Sequence, residues 1–317
     1  MGSLQPIRGV IAPTLTPFND DLTIALDLFA DHARHLLATG CAGLAPFGTT
    51  GEALSIGIEE RMAALEHLVK SGVNPERLIP GTGLTNLPDT VTLTRHALAC
   101  GCAGAMVLPP FYFKDVSDDG LFPYFARLVE RVANDKLRVY LYHIPPVAHV
   151  GLSIPLVQRL RAALPDRIVG IKDSSGDWSN TRRLLTEVSG LIVYPGSELP
   201  LLEALALGAP GCITATANIN AAAIAEIVAL YDRREEAEAR RRHESVKALR
   251  VKVQQYGTIP AQKWLLSLWS GDARWRNVRP PFLVLPDAAG RELSDALEQE
   301  VAPGLSRQVP RRAATRG

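Results

Sequence analysis

Eight short apolar runs alternating with amphipathic segments, short connections between most of them, and an end to strand signals near residue 225 predict one fold class. It is an α/β chain, a (β/α)8 barrel with a helical domain at its carboxyl end. At 317 residues, 47% hydrophobic and 21% charged, the chain is long enough for one large α/β domain and a smaller appendage. The expected partition is a barrel over 1–224, a helical domain over 225–303 and a disordered tail over 304–317.

The first strand is expected over 9–15 and its helix over 24–38, where Leu26, Phe29, Ala33, Leu36 and Leu37 share one face. The second unit joins a strand over 43–47 to a helix over 59–70. A third strand over 77–81 precedes a helix that Asn86 opens, with Pro88 in its first turn. The fourth strand spans 104–108 and is followed by a long loop of prolines and aromatics, then by a helix over 119–132. The fifth, 137–142, leads to a helix capped by Ser153 with Pro155 in its first turn. The sixth, 168–171, ends at Lys172. The seventh, 191–195, precedes a helix expected to be capped by Ser197, and the eighth, 212–215, leads to an Ala-rich helix from Asn220. Consecutive βα units of one hand specify a parallel sheet, and its commonest closed form is the barrel. The alternative is a doubly wound open sheet, but no G-x-G-x-x-G follows the first strand and no G-x-x-x-x-G-K-[ST] occurs. Further helices are expected over 221–230, 232–253 and 260–270; the Arg and Glu residues of the middle one, at i, i+3 and i+4, read as a solvated face. The basic tail lacks apolar content and is expected to fray.

Composition narrows the function classes. A net charge of +1 and a pI near 7.7 offer no global field for nucleic acid. No apolar run reaches the roughly 18 to 20 residues of a membrane span. Residues 1–8 carry no hydrophobic signal region, so a cytoplasmic location is expected. Cys41, Cys100, Cys102 and Cys212 form no C-x-x-C and no Cys/His cluster, so neither disulfides nor zinc are indicated. His32 and His35 share a helix face, where an inert pair is the commoner reading than a metal site.

In a barrel the chemistry sits just after each strand. Lys172 is costly there as an ammonium unless it is paired. Desolvation favours the free amine, which can attack a ketone to form a Schiff base; the bland alternative is a lysine paired with Asp173 or Asp177. After the second strand, Gly48-Thr49-Thr50-Gly51-Glu52 offers hydroxyls and backbone N–H groups suited to a carboxylate, or else is a plain turn. Pro109-Pro110-Phe111-Tyr112-Phe113 reads either as an interface loop or as a segment covered by the appended helices. Tyr142 ends the fifth strand beside His143; its phenol could shuttle protons near a lysine, or be a satisfied core tyrosine. No Ser-His-Asp set, paired glycosidase carboxylates or H-E-x-x-H competes for the site.

Gly48-Thr49-Thr50-Gly51-Glu52, the Tyr142-x-x-Pro145 step, Gly170-Ile171-Lys172-Asp173-Ser174-Ser175-Gly176, Gly196-Ser197-Glu198 and the run from Gly211 to Asn218 together resemble the dihydrodipicolinate synthase / N-acetylneuraminate lyase family. Order and spacing match from about Gly9 to Pro281. The resemblance implies a class I Schiff-base lyase or aldolase with no metal or cofactor, in a homotetramer built from paired dimers. Its substrate would be pyruvate or a related 2-keto acid, with aldol cleavage, condensation, or dehydration of a 2-keto-3-deoxy acid as the reaction. By position, Lys172 resembles the Schiff-base lysine and Tyr142 the acid/base tyrosine. Thr49 and Thr50 are similar to the pair that relays protons and grips the keto-acid carboxylate beside Gly48, and Tyr112 to the tyrosine that reaches a neighbouring subunit's site. Gly196 and Ile213 fall where backbone lines the pyruvate pocket, and His143 beside Tyr142 is a further candidate lining residue. One departure matters. Where dihydrodipicolinate synthases carry an arginine for aspartate semialdehyde, five residues after the tyrosine, this chain has Val147 between Pro146 and Ala148. Valine cannot make the bidentate contact, so 4-hydroxy-tetrahydrodipicolinate synthesis is the second reading, with His143 or His149 as the substitute cation. A silent barrel acting as regulator or scaffold is the third, although it would be expected to lack Lys172 or Tyr142.

Overall fold

A computed structural model describes residues 5–302, 304 and 305. Its strands are β1 (Gly9–Ala12), β2 (Cys41–Leu44), β3 (Ala105–Val107), β4 (Val139–His143), β5 (Ile168–Asp173), β6 (Ile192–Pro195) and β7 (Gly211–Ile213). All pairings are parallel, in two runs, β2-β1-β7 and β3-β4-β5-β6. Residues 78–81 join the runs: Leu78 bridges Leu44 and Gly81 bridges Met106. They are the expected third strand, reduced to single bridges because Pro80 has no N–H to give to a ladder. β6 and β7 stand side by side and close the ring.

Inside the barrel, Ile11, Ala45, Ile79, Met106, Tyr140, Val169, Tyr194 and Ile213 contribute one layer-forming side chain from each strand position, and all are buried. Gly170 makes room for this packing, since a Cβ there would lie 2.6 Å from the Tyr140 ring. Around the outside run α1 (Leu26–Ala38), α2 (Ile58–Lys70), α3 (Leu87–Ala99), α4 (Asp118–Val132), the short α5 (Pro145–Ala148), α6 (Ile154–Ala163), α7 (Trp178–Glu187), α8 (Leu201–Ala206) and α9 (Ala217–Asp232). Asn86 and Ser153 cap α3 and α6 as expected, accepting the N–H groups of Asp89 at 2.8 Å and Leu156 at 3.1 Å. Ser197 does not cap α8; it accepts the N–H of Leu199 at 3.1 Å, and the helix starts two residues later, after Pro200.

The appended domain comprises α10 (Glu236–Gln254), α11 (Thr258–Ser270) and α12 (Asp287–Ala296). The expected boundary at 224/225 cuts through α9, which is kinked at Asn220 and packs on β1; the break in the helix falls at 233–235 instead. Trp264, Trp269, Trp275 and Leu293 build this domain's core, and Leu15, Leu28 and Ile219 of the barrel pack into it. Leu305, placed within the expected tail, is 2% exposed in the same core, so a tail starts no earlier than residue 306, and 306–317 lie outside the described residues.

Candidate active site

Lys172 ends up on the inner side of β5 at the barrel mouth, 3% exposed, because a strand buried on both faces gives a side chain nowhere else to go. Its Nζ donates to the Tyr142 hydroxyl at 3.3 Å and lies 4.4 Å from the centre of the Tyr142 ring. The same hydroxyl is 3.1 Å from Thr49 Oγ1. Register explains the meeting, since Tyr142 and Lys172 are direct partners across the β4–β5 ladder.

The carboxylates that might have neutralised Lys172 are occupied elsewhere. Asp173 accepts from Ser175 N–H (3.0 Å), Asn180 Nδ2 (3.1 Å) and Thr181 Oγ1 (2.6 Å), which ties the turn to α7. Asp177 caps α7 through the N–H of Ser179 at 2.8 Å. The amine therefore has a phenol and a cavity for company, with no carboxylate in ion-pair range among the described residues.

The Gly48–Gly51 loop is bracketed by two non-glycine residues in the left-handed region, Phe47 (φ 60) and Glu52 (φ 55). Such conformations cost about 1 to 3 kcal/mol each and persist only where the surroundings impose them. Here Glu52 is fixed from outside the barrel: its carboxylate receives Lys263 of α11, at ion-pair distance, and the N–H of Arg279 at 2.9 Å. Thr16 Oγ1 holds the Gly51 carbonyl at 2.8 Å. The turn uses the amides of Gly51, Glu52 and Ala53 internally, and no carbonyl accepts the N–H of Thr49 or Thr50 among the described residues. Two amides without a backbone acceptor are donors of the kind suited to a carboxylate.

These residues line one cavity of about 680 Å³, with Lys172, Tyr142, Thr49, Thr50, Val147 and Gly196 on its walls. Gly196 leaves no room for a side chain, because a Cβ would sit 2.8 Å from the Ser174 Cα. The other expected residues stand back from this wall. Gly48 borders a small adjoining hollow shared with Thr49 and Tyr142. The Ile213 side chain packs into the barrel interior. His143 corrects its expected place on the substrate wall: it is 7% exposed, its Nδ1 accepts the Leu152 N–H at 2.9 Å, and burial lowers its pKa more than Asp173 raises it. It is a neutral ring bracing the loop after β4. Tyr112 is 73% exposed, edge-on to Phe113 and outside its own chain's cavity.

Two residues to which the sequence reading gave no role stand beside this cavity. Glu198, fully buried after β6, accepts from Thr214, Thr216 and Arg250 Nη1 (3.0 Å), while His243 of α10 reaches its backbone oxygen at 2.7 Å. Arg250 of α10 reaches the cavity and also donates to Thr214 at 3.1 Å. The signal was present: Ala239, His243, Val246, Arg250 and Val253 recur at four- and three-residue steps, so His243 and Arg250 ride the buried stripe of a helix whose Arg241 and Arg242 face solvent.

Comparison with known proteins bears on the chain as a whole. A protein-family model described as the dihydrodipicolinate synthetase family matches residues 6–300. A DapA-like lyase of Chloroflexus aurantiacus, itself uncharacterised, is 34% identical over 93% of this chain and 97% of its own length. A 4-hydroxy-tetrahydrodipicolinate synthase of Thermus thermophilus is 36% identical over 67% of this chain and 69% of its own. Among solved structures, dihydrodipicolinate synthase from Agrobacterium tumefaciens superposes with a TM-score of 0.84 at 34% identity, covering 92% of this chain and 98% of that one. A prophage protein of the dihydrodipicolinic acid synthase family from E. coli, in complex with pyruvate, gives 0.85 at 26% identity, with coverage of 92% and 98%.

Proposed function

The chain belongs to the dihydrodipicolinate synthetase family, and from that premise we propose that it is a lyase or aldolase in which Lys172 forms a Schiff base with pyruvate or a related 2-keto acid. The observation that carries the reading is a buried lysine on an open cavity, without a carboxylate partner among the described residues, whose amine touches a phenol that in turn touches a threonine hydroxyl.

Each step has a residue suited to it. The keto-acid carboxylate takes the free amides of Thr49 and Thr50, which aims C2 at Lys172 Nζ. The amine adds to the carbonyl, and Tyr142 passes a proton to the departing hydroxyl, with Thr49 as the relay that restores its phenol. The iminium then withdraws electrons, so a C3 proton or the C3–C4 bond is lost to give an enamine instead of a bare carbanion. Protonation of the enamine, or its attack on an aldehyde, followed by hydrolysis, frees Lys172. The nitrogen cation is itself the electron sink, so no step calls for a metal or an organic cofactor.

Tyr112 fits as a contribution to a second copy. An exposed Tyr112–Phe113 pair on a loop pinned by Lys114 to the Ala148 carbonyl (3.0 Å) is large apolar surface on a fixed support. In a homotetramer of paired dimers such a phenol would cover the small hollow bordered by Thr49, Leu54 and Tyr142. Among the described residues no helix is long and apolar enough to cross a membrane, and a cytoplasmic setting fits the four free cysteines.

The test is turnover: pyruvate release from 2-keto-3-deoxy acids, and consumption of pyruvate with a panel of aldehydes. Turnover of at least one substrate, lost on borohydride treatment in its presence, is expected. A folded protein that processes none of them would favour the scaffold reading.

A further inference from the structure

The two peptide planes that carry the N–H groups of Thr49 and Thr50 are fixed through their carbonyls. The Gly48 carbonyl accepts from the N–H of Gly51 at 3.1 Å and of Ala53 at 3.3 Å, and the Thr49 carbonyl accepts from the N–H of Glu52 at 3.1 Å. In a trans peptide the C=O and N–H of one plane point in opposite directions, so pinning these carbonyls aims both amides away from the turn. The Thr50 amide therefore depends on Glu52, which stands at φ 55, where a residue other than glycine stays only if its surroundings hold it.

The holding groups come from the appended domain. The Glu52 carboxylate, 2% exposed, pairs through Oε1 with Lys263 of α11, and its Oε2 accepts the Arg279 N–H at 2.9 Å. Lys263 is itself fixed by the Asn277 carbonyl at 2.7 Å, and the Arg279 side chain donates to the Ser55 carbonyl, just past the turn, at 2.7 Å. The Phe18 ring lies against both cations, 4.3 Å from Lys263 Nζ and 4.7 Å from Arg279 Cζ. A buried ion pair is a weak source of stability, since apolar side chains of like volume often serve as well, but it holds one geometry.

We propose that Glu52 and Lys263 are positioning residues for the substrate carboxylate: their ion pair keeps the Thr49 and Thr50 amides aimed, so that the appended domain sets the affinity for the 2-keto acid. This rests on the Schiff-base reading of Lys172. Neither Glu52 nor Lys263 lines the cavity, so both act through the loop and neither touches the substrate. The carboxylate end of the substrate is the part that senses them. A ketone without a carboxylate gains nothing from the two amides, and its reaction with Lys172 is indifferent to how they point.

The experiment measures cyanoborohydride trapping on Lys172 with pyruvate and with acetone, which offers a ketone but no carboxylate. It is run on the unmodified protein and on the double variant Glu52→Gly/Lys263→Met, which removes both charges together and places at φ 55 the residue type that adopts it freely. The unmodified protein is expected to trap pyruvate at a far lower concentration than acetone. In the double variant the pyruvate concentration for half-maximal trapping should rise about 10-fold or more, the range for one hydrogen bond to a charged group, while acetone trapping stays within about threefold of its original rate. An unchanged pyruvate concentration would overturn the proposal, and so would an equal fall for both ketones, which is the mark of a merely structural role. Should that variant not fold, Glu52→Gln/Lys263→Met keeps an oxygen for the Arg279 N–H and reads the same ratio, and a shift below about threefold there would count against the proposal. An unmodified protein that traps acetone as readily as pyruvate would remove the carboxylate loop and the proposal with it. Absence of trapping on Lys172 in the unmodified protein would instead remove the Schiff-base reading.

Discussion

Lys172 and Lys263 are withdrawn from water to nearly the same degree, 3% and 0% exposed, yet the two sites are built for opposite ends. Lys263 is saturated: it pairs with Glu52, donates to the Asn277 carbonyl at 2.7 Å and lies 4.3 Å from the centre of the Phe18 ring. Burial draws its pKa down to about 8 while Glu52 pulls upward. Lys172 has a phenol and a cavity. Burial is therefore not what marks a lysine for chemistry; the inventory of acceptors around it is. The two sites are also coupled in space, since the Glu52 held by Lys263 ends the loop that carries Thr49 and Thr50.

The widest separation should come from Lys172→Ala. Turnover is expected to fall by about four orders of magnitude or more, as for loss of a covalent nucleophile, with denaturant stability changed by no more than about 1 kcal/mol. A large stability loss would mean that Lys172 is structural after all. Lys263→Met should show the reverse. Stranding Glu52 without its cation is expected to cost about 3 to 5 kcal/mol in urea unfolding, while pyruvate trapping on Lys172 persists in the folded fraction. Glu52→Gln added to that variant should recover much of the loss.

Tyr142→Phe keeps the ring over Lys172 and deletes the shared hydroxyl. Turnover is expected to drop by about 10²- to 10³-fold, with slow trapping retained, because proton transfer is lost but the nucleophile is not. Unchanged turnover would take Tyr142 out of the relay. The smallest effect uses a third buried base. His32, 5% exposed, is 3.0 Å from the Asn218 amide oxygen and edge-on to Trp275; burial, with only that neutral partner against it, lowers its pKa to about 4. The unfolded value near 6.5 is higher, so the unfolded state binds more protons between these values. Stability should therefore fall as pH drops from 6.5 toward 4, by up to about 3 kcal/mol from this residue. His32→Gln should flatten that part of a stability–pH curve, and an unchanged slope would count against the shift.

The barrel was legible because period and punctuation coincide. Asn86 with Pro88 and Ser153 with Pro155 mark helix starts where α3 and α6 do begin. Strand ends were less so: 43–47 was expected where the ladder is Cys41–Leu44, since Ala45 to Phe47 continue the apolar pattern after the pairing has turned away. α12 was missed because its buried face reduces to Gly290 and Leu293. Lys172 and Tyr142 stood out in the sequence because they fall at the carboxyl ends of apolar runs, where β5 and β4 do end, and the threonine loop because it follows β2. Arg250 and Lys263 were not, since both reach the barrel from helices whose place relative to it no local pattern encodes.

The distinction between the two buried lysines is tested most directly by reducing the unmodified protein with borohydride in the presence of pyruvate and mapping the modified peptide by mass. A single adduct on Lys172, with Lys263 untouched, is the predicted result. An adduct on another lysine, or none with pyruvate or any other 2-keto acid, would contradict it.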